Sequence, residues 1–158
     1  MKRSIVTYLG VLGLCQFFAS AALATELCYS TGPVQNAMNL PGPPPTSAVV
    51  FVKVLNNSTS DSVDAKVLTF GLNGSKIFQD EQAFTVAPQA SGFIAPPVDE
   101  GRAVFEFEIQ VKLTGHKPDK ALLGAFGTDK DGALVPSHRL VHTEWTEIRC
   151  SDFGPSGN

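Results

Sequence analysis

Charge is scarce in this chain. Charged residues make up 17% of its 158 positions, and Lys plus Arg (12) do not outnumber Asp plus Glu (15). The first scarcity excludes a highly charged disordered protein. The second, with a pI near 5.5, leaves no basic footprint for nucleic acid. Cysteine occurs only three times, and no CxxC is present. There is no P-loop, no HExxH and no G-x-S-x-G elbow. No motif calls for a cofactor. A long amphipathic helical period and an internal repeat are also missing, which argues against a bundle or a solenoid. Apolar residues, by contrast, reach 43%, enough to build the core of one domain at this length.

The amino terminus has a processing pattern. Lys2 and Arg3 precede an uncharged run from Ser4 to Ala19, and Ala22-Leu23-Ala24 places small residues at −3 and −1. This predicts a secretory signal peptide, 1–24, cut after Ala24, with no membrane span left in the mature chain. A lipoprotein site at Cys15 is disfavoured because Leu14 is too large for the position before the cysteine. Removing 24 residues from 158 leaves 134, and the loss of Lys2 and Arg3 takes the net charge from −3 to −5. Cys15 leaves too. The two cysteines that remain, Cys28 and Cys150, are expected to pair in an oxidising compartment, so the protein is expected to be secreted or periplasmic.

Residues 25–45 include Gly32-Pro33 and Pro41-Gly42-Pro43-Pro44-Pro45, which block helix and central strand. They predict an extended, proline-rich arm. From Ala48 the pattern becomes strand-like. Ala48 to Leu55 is a nearly continuous apolar run broken by Lys53, as in a largely buried strand. Asn73-Gly74 and Asp131-Gly132 are hairpin signals. In Arg102 to Leu113, Phe105, Phe107, Ile109, Val111 and Leu113 alternate with polar residues. That period of two describes an antiparallel strand with one wet face. Ala121 to Thr128 reads as a strand, and Leu140 to Ile148 as a long final one. The expected fold is all-β: a single antiparallel β-sandwich of immunoglobulin-like size, about seven strands over 46–150, followed by a flexible tail at 151–158. A small barrel is the alternative.

The polar residues that invite chemistry concentrate late in the chain. On one strand His142 and Glu144 would share a face and could hold a metal or exchange a proton. Asp129, Asp131 and His138 are the other weak candidates for a metal or small-ligand cluster. Asp129-Lys130-Asp131-Gly132 opens like a calcium loop, but the twelfth position is Leu140, so a turn-forming Asx cluster is the better reading. Arg139 is expected to form a structural ion pair with Asp129 or Asp131 across the hairpin. Asn56, Asn57 and Asn73 each head an N-x-Ser/Thr triplet.

The stretch from Phe126 to Glu144 also resembles the C-terminal signature of the exosporium protein C family of small bacterial surface proteins. Gly127, Asp129, Gly132, Leu134, Val135, Pro136, Arg139, His142 and Glu144 carry the match. Val52 to Asn57 and Phe105 to Leu113 resemble that family's opening strand and its alternating strand. The signal peptide, the proline arm and the cysteine pair depart from it. The resemblance implies a small β-domain displayed on a spore or cell surface, without known catalysis. The functional expectation is therefore an exported, non-enzymatic structural or interaction module whose partner is a protein or an envelope polymer. The alternatives are a ligand- or metal-binding protein using the Asp129/Asp131/His138/His142/Glu144 cluster, and a small enzyme whose site assembles from distant loops.

Overall fold

The computed structural model describes residues 24–36, 47–72, 74–98 and 106–155. The expected signal peptide and the proline run therefore lie outside the described residues, apart from Ala24. Ten strands follow one another: β1 (Thr25–Ser30), β2 (Val34–Gln35), β3 (Val49–Asn56), β4 (Val63–Leu72), β5 (Lys76–Val86), β6 (Ser91–Ile94), β7 (Glu106–Gly115), β8 (Ala121–Thr128), β9 (Leu134–Leu140) and β10 (Thr146–Ile148). They form two antiparallel sheets. The first runs β10-β1-β7-β4-β5, with β2 also on β7; the second runs β6-β3-β8-β9. The sheets pack face to face as a sandwich, as the strand patterning predicts.

The alternation in β7 builds one wall of the core. Phe107, Ile109, Val111 and Leu113 are buried and point towards the second sheet, where Val50, Val52 and Val54 of β3 and Leu123 of β8 receive them. Each such side chain contributes roughly 1.5–3 kcal/mol when it leaves water. β7 lies between β1 and β4, paired with both over their full lengths, so its register is held from two sides. A slip of one residue would turn its apolar set outwards.

Both hairpin signals stand where expected. β4 and β5 close as Leu72↔Lys76 around Gly74, whose φ is +81°. β8 and β9 close as Thr128↔Leu134 around Gly132, whose φ is +82°. Positive φ costs glycine nothing, which is why it occupies these turns.

Four expectations are corrected. Residues 25–45 are not simply an arm: β1 lies inside the first sheet, and β2 pairs with β7 as Val34↔Phe107. The prolines begin only after these strands, so Thr25–Ser30 is free to donate every backbone N–H to a ladder. About seven strands become ten, because β1 and β2 pair and the last part of the chain divides into β9 and β10. The final segment is not one long strand: β9 ends at Leu140, His142–Glu144 is a 3-10 turn, and β10 covers three residues. The early tail is not loose. Cys150–Asp152 forms a turn, the Gly154 N–H donates to Gln110 Oε1 at 2.9 Å, and the Lys112 ammonium stands 5.9 Å from the Phe153 ring.

The ordered tail begins at the disulfide. Cys28 in β1 is bonded to Cys150, 122 positions away. In the chain-entropy description a loop of that length removes ~4–5 kcal/mol of unfolded-state freedom. The bond also fixes the point from which the tail crosses β7.

Candidate functional site

Of the five weak candidates for a ligand or metal cluster, Asp129, His138, His142 and Glu144 accept from or face backbone groups, and Asp131 meets a neighbouring lysine. Asp129 Oδ1 accepts from the Asp131 N–H at 2.9 Å and the Ala133 N–H at 2.8 Å, so its carboxylate closes the β8–β9 turn. Asp131 meets the adjacent Lys130 ammonium at 3.1 Å in a highly exposed pair, which contributes little. His142 Nδ1 accepts from the Leu123 N–H at 3.1 Å, and its ring meets Tyr29 edge-on at 5.8 Å. The Glu144 carboxylate accepts from the Val141 N–H at 2.6 Å. Glu144 therefore caps the 3-10 turn that contains His142, the His142 ring ties that turn to β8, and the two do not share a strand face. Among the described residues no three His, Cys, Asp or Glu side chains come together as a metal-binding group. The expected ion pair of Arg139 with Asp129 or Asp131 is also absent among the described residues; Arg139 stands opposite Phe126 instead.

His138 is the most deeply placed of the group, 3% exposed. Its Nε2 is 2.7 Å from the Gln35 carbonyl oxygen and its Nδ1 is 2.6 Å from Ser47 Oγ. A carbonyl only accepts, so Nε2 carries the proton and the Ser47 hydroxyl donates to Nδ1. Burial lowers the His138 pKa, and the Gln35 carbonyl opposes that in part. Asn36 completes the knot: its Oδ1 accepts from the Ser47 N–H at 2.7 Å and its Nδ2 donates to the Ser47 carbonyl at 3.2 Å. The result is a clamp, in which β9 grips the chain on both flanks of 37–46.

The N-x-Ser/Thr triplets separate in the same way. Asn56 is fully buried, and its amide donates to the carbonyls of Asp61, Val86 and Ala87. Asn57 is exposed, and Asn73 lies outside the described residues.

The surface that is left without a structural duty is the outer face of β6-β3-β8-β9. Register places Phe93, Lys53 and Gly124 in one row, and Phe51, Phe126 and Arg139 in the next. Phe51 stacks on Phe126 with centroids 4.8 Å apart and planes 8° apart, and its ring lies 6.1 Å from Phe93. Phe93 is 66% exposed, and Leu55, Leu122 and Phe126 are exposed beside it. Ala48 to Leu55 reads in sequence as a central or largely buried strand. Its second apolar face is this one, and it meets water. The signal available for it was the run's own period of two: Phe51, Lys53 and Leu55 share a side, and Lys53 marks that side as wet.

Between β8 and β9 the face sinks into a groove of about 770 Å³. The pairing jumps there from Phe126↔Arg139 to Gly127↔Val135, so residues 136–138 bulge out of the ladder. Leu134, Pro136 and Val141 wall the groove on the β9 side, Phe126 borders it on β8, and Lys53 and Arg139 supply its cations.

No family model matches the chain, and neither a curated protein nor a solved structure matches it. Among the described residues no helix is long and apolar enough to cross a membrane.

Proposed function

We propose that this protein is an exported, non-enzymatic interaction module that meets a surface partner, a protein or an envelope polymer, through the outer face of β6-β3-β8-β9. The observation that carries the reading is the aromatic cluster of Phe93, Phe51 and Phe126, which spans two register rows and is flanked by Leu55 and Leu122. Contiguous exposed apolar surface on a small domain is characteristic of a contact site. Aromatic rings on a rigid sheet offer large contact area at little entropic cost. The bond between Cys28 and Cys150 supports an oxidising compartment, in agreement with the leader pattern before Thr25. Display on a cell or spore surface is part of this proposal and comes from the sequence resemblance of 126–144 alone. The non-enzymatic part of the reading is supported by the titratable groups of 129–144, which are engaged in turns and in the clamp.

Co-sedimentation of the purified protein with envelope material from its own source tests this. Saturable retention is expected, with about a tenfold loss in a Phe93→Ser/Leu122→Ser variant whose circular dichroism is unchanged. Absence of retention, or equal retention of the variant, overturns the reading.

A further inference from the structure

We propose that the groove between β8 and β9 binds a fatty carboxylate, with the acyl chain lying over Gly124 and the head group held by Lys53 and Arg139.

Gly124 points to a ligand-sized space. A glycine inside a strand weakens it, so a packing reason is normally found for its presence. Gly127, on the same strand, has one: an added Cβ would stand 1.8 Å from Ser47 Oγ and 3.0 Å from the His138 Cβ. Gly92 has one too, since its Cβ would meet the Phe84 ring at 2.9 Å. Gly124 has none. An added Cβ would meet only the Leu140 carbonyl oxygen, at an ordinary 3.6 Å, and its φ is not in the left-handed region. What the missing side chain does create is the open floor of the groove, bordered by Phe126 on its own strand and by Leu134, Pro136 and Val141 across it. A cavity of about 770 Å³ with mainly apolar walls and a few polar groups has the anatomy of a small-molecule site.

The walls also select the chemistry. β3 and β8 use their backbone groups on each other, and Pro136 has no N–H to offer. An acyl chain brings no amide that must be satisfied over this floor and wall. The two charged groups lining the groove, Lys53 and Arg139, are both cationic, and no carboxylate lines it. In a chain whose net charge is −3 this is a local inversion of sign, complementary to an anionic head. A guanidinium accepts a carboxylate through two parallel hydrogen bonds, and the Lys53 ammonium adds a point charge. The same two cations oppose a second copy of the chain docking symmetrically on this face.

The inference goes beyond the surface-contact reading: it shares Phe126 with that face and otherwise rests on Gly124, Lys53, Arg139 and the β9 wall. Calorimetric titration with dodecanoate below its micellar concentration tests it, with dodecanol and dodecyltrimethylammonium as neutral and cationic counterparts. One saturable site is expected for dodecanoate, with binding tighter than for either counterpart by about tenfold or more. Gly124→Leu fills the floor and is expected to abolish binding. Lys53→Gln/Arg139→Gln changes two exposed residues and is expected to weaken dodecanoate by about tenfold while leaving dodecanol unchanged. If Gly124→Leu does not fold, judged by circular dichroism, the double variant decides. Absence of saturable dodecanoate binding, equal binding of all three amphiphiles, or unchanged binding by the variants that fold overturns the inference. Envelope retention by the same variants is read separately, so either proposal can fail alone.

Discussion

The two sheets share one core and differ in what they show to water. The outer face of β10-β1-β7-β4-β5 is laced with charge: Lys66 meets Glu81 at 2.7 Å, Lys76 meets Glu108 at 3.0 Å and Lys112 meets Glu26 at 3.1 Å. On that side Leu68 and Phe70 are buried, the Lys76 ammonium lies 4.1 Å over the Phe70 ring, and the exposed Phe78 meets that ring edge-on at 6.0 Å. The outer face of β6-β3-β8-β9 instead exposes Phe93, Phe126, Leu55 and Leu122 around two cations. A single sandwich thus carries a solvated face and a contact face. The contrast is one of arrangement: the first sheet exposes Ile77 and Phe78 only on its edge strand β5, beside ion pairs, whereas the second gathers exposed apolar residues across β6, β3 and β8.

The largest effect should separate inside from outside on the aromatic residues. Phe107→Asp would bury an unpaired charge and leave a void, so it is expected to cost more than about 5 kcal/mol and to abolish cooperative urea unfolding. Phe93→Ser on the contact face is expected to change stability by about 0.5 kcal/mol or less. A large loss for Phe93→Ser would show that the second sheet's outer face is structural after all.

A smaller effect should divide two glycines three positions apart on β8. Gly127→Ala pushes a methyl into Ser47 and is expected to cost about 1–3 kcal/mol. Gly124→Ala has open space and is expected to stabilise the strand by about 0.5 kcal/mol. Denaturant midpoints of both variants check this, and an equal loss at both sites would remove the argument that Gly124 is there for the groove.

The finest distinction is in pH. Burial pushes the Glu108 carboxyl up, but hydrogen bonds from Gln110 and Ser30 and the Lys76 ammonium outweigh it and hold its pKa below the ordinary value. A depressed carboxylate stabilises the fold above its unfolded pKa of about 4.3, and that contribution is lost as pH falls through the folded value. His138, held low by burial, likewise loses stability as pH falls, but from its unfolded value of about 6.5 downwards. The stability deficit of Glu108→Gln is therefore expected to be flat above pH ~5 and to narrow below ~4. Wild-type protein should already weaken below pH ~6.5, and His138→Gln should remove that first phase. Urea titrations across pH read both phases, and a single phase in wild type would contradict the clamp.

Much of the fold was legible beforehand. The alternation at Phe107, Ile109, Val111 and Leu113 identifies a half-buried strand, because side chains of a strand must alternate whatever lies around them. Asn73-Gly74 and Asp131-Gly132 mark turns for an equally local reason. The β1 strand was hidden because the prolines near it dominated the reading, although none falls within Thr25–Ser30. The candidate site was read less well. Asp129, His138, His142 and Glu144 are near in sequence, and nearness suggested convergence. A bulge and a 3-10 turn point them at different parts of the backbone.

Composition and period by themselves determined an all-β chain and the apolar face of its alternating strand, since both depend only on residue chemistry and short-range geometry; the cysteine pair was expected from compartment and count, and the fold brings its two members together. Only the tertiary structure decided which apolar face of Ala48 to Leu55 is core and which is contact surface. It alone showed that His138 clamps Gln35 and Ser47, and that Gly124 opens a space where Gly127 fills one. The reason is that a side chain's meaning depends on what stands opposite it, and in this sandwich the opposing residues come from strands as far apart in sequence as Gln35 and His138 or Cys28 and Cys150.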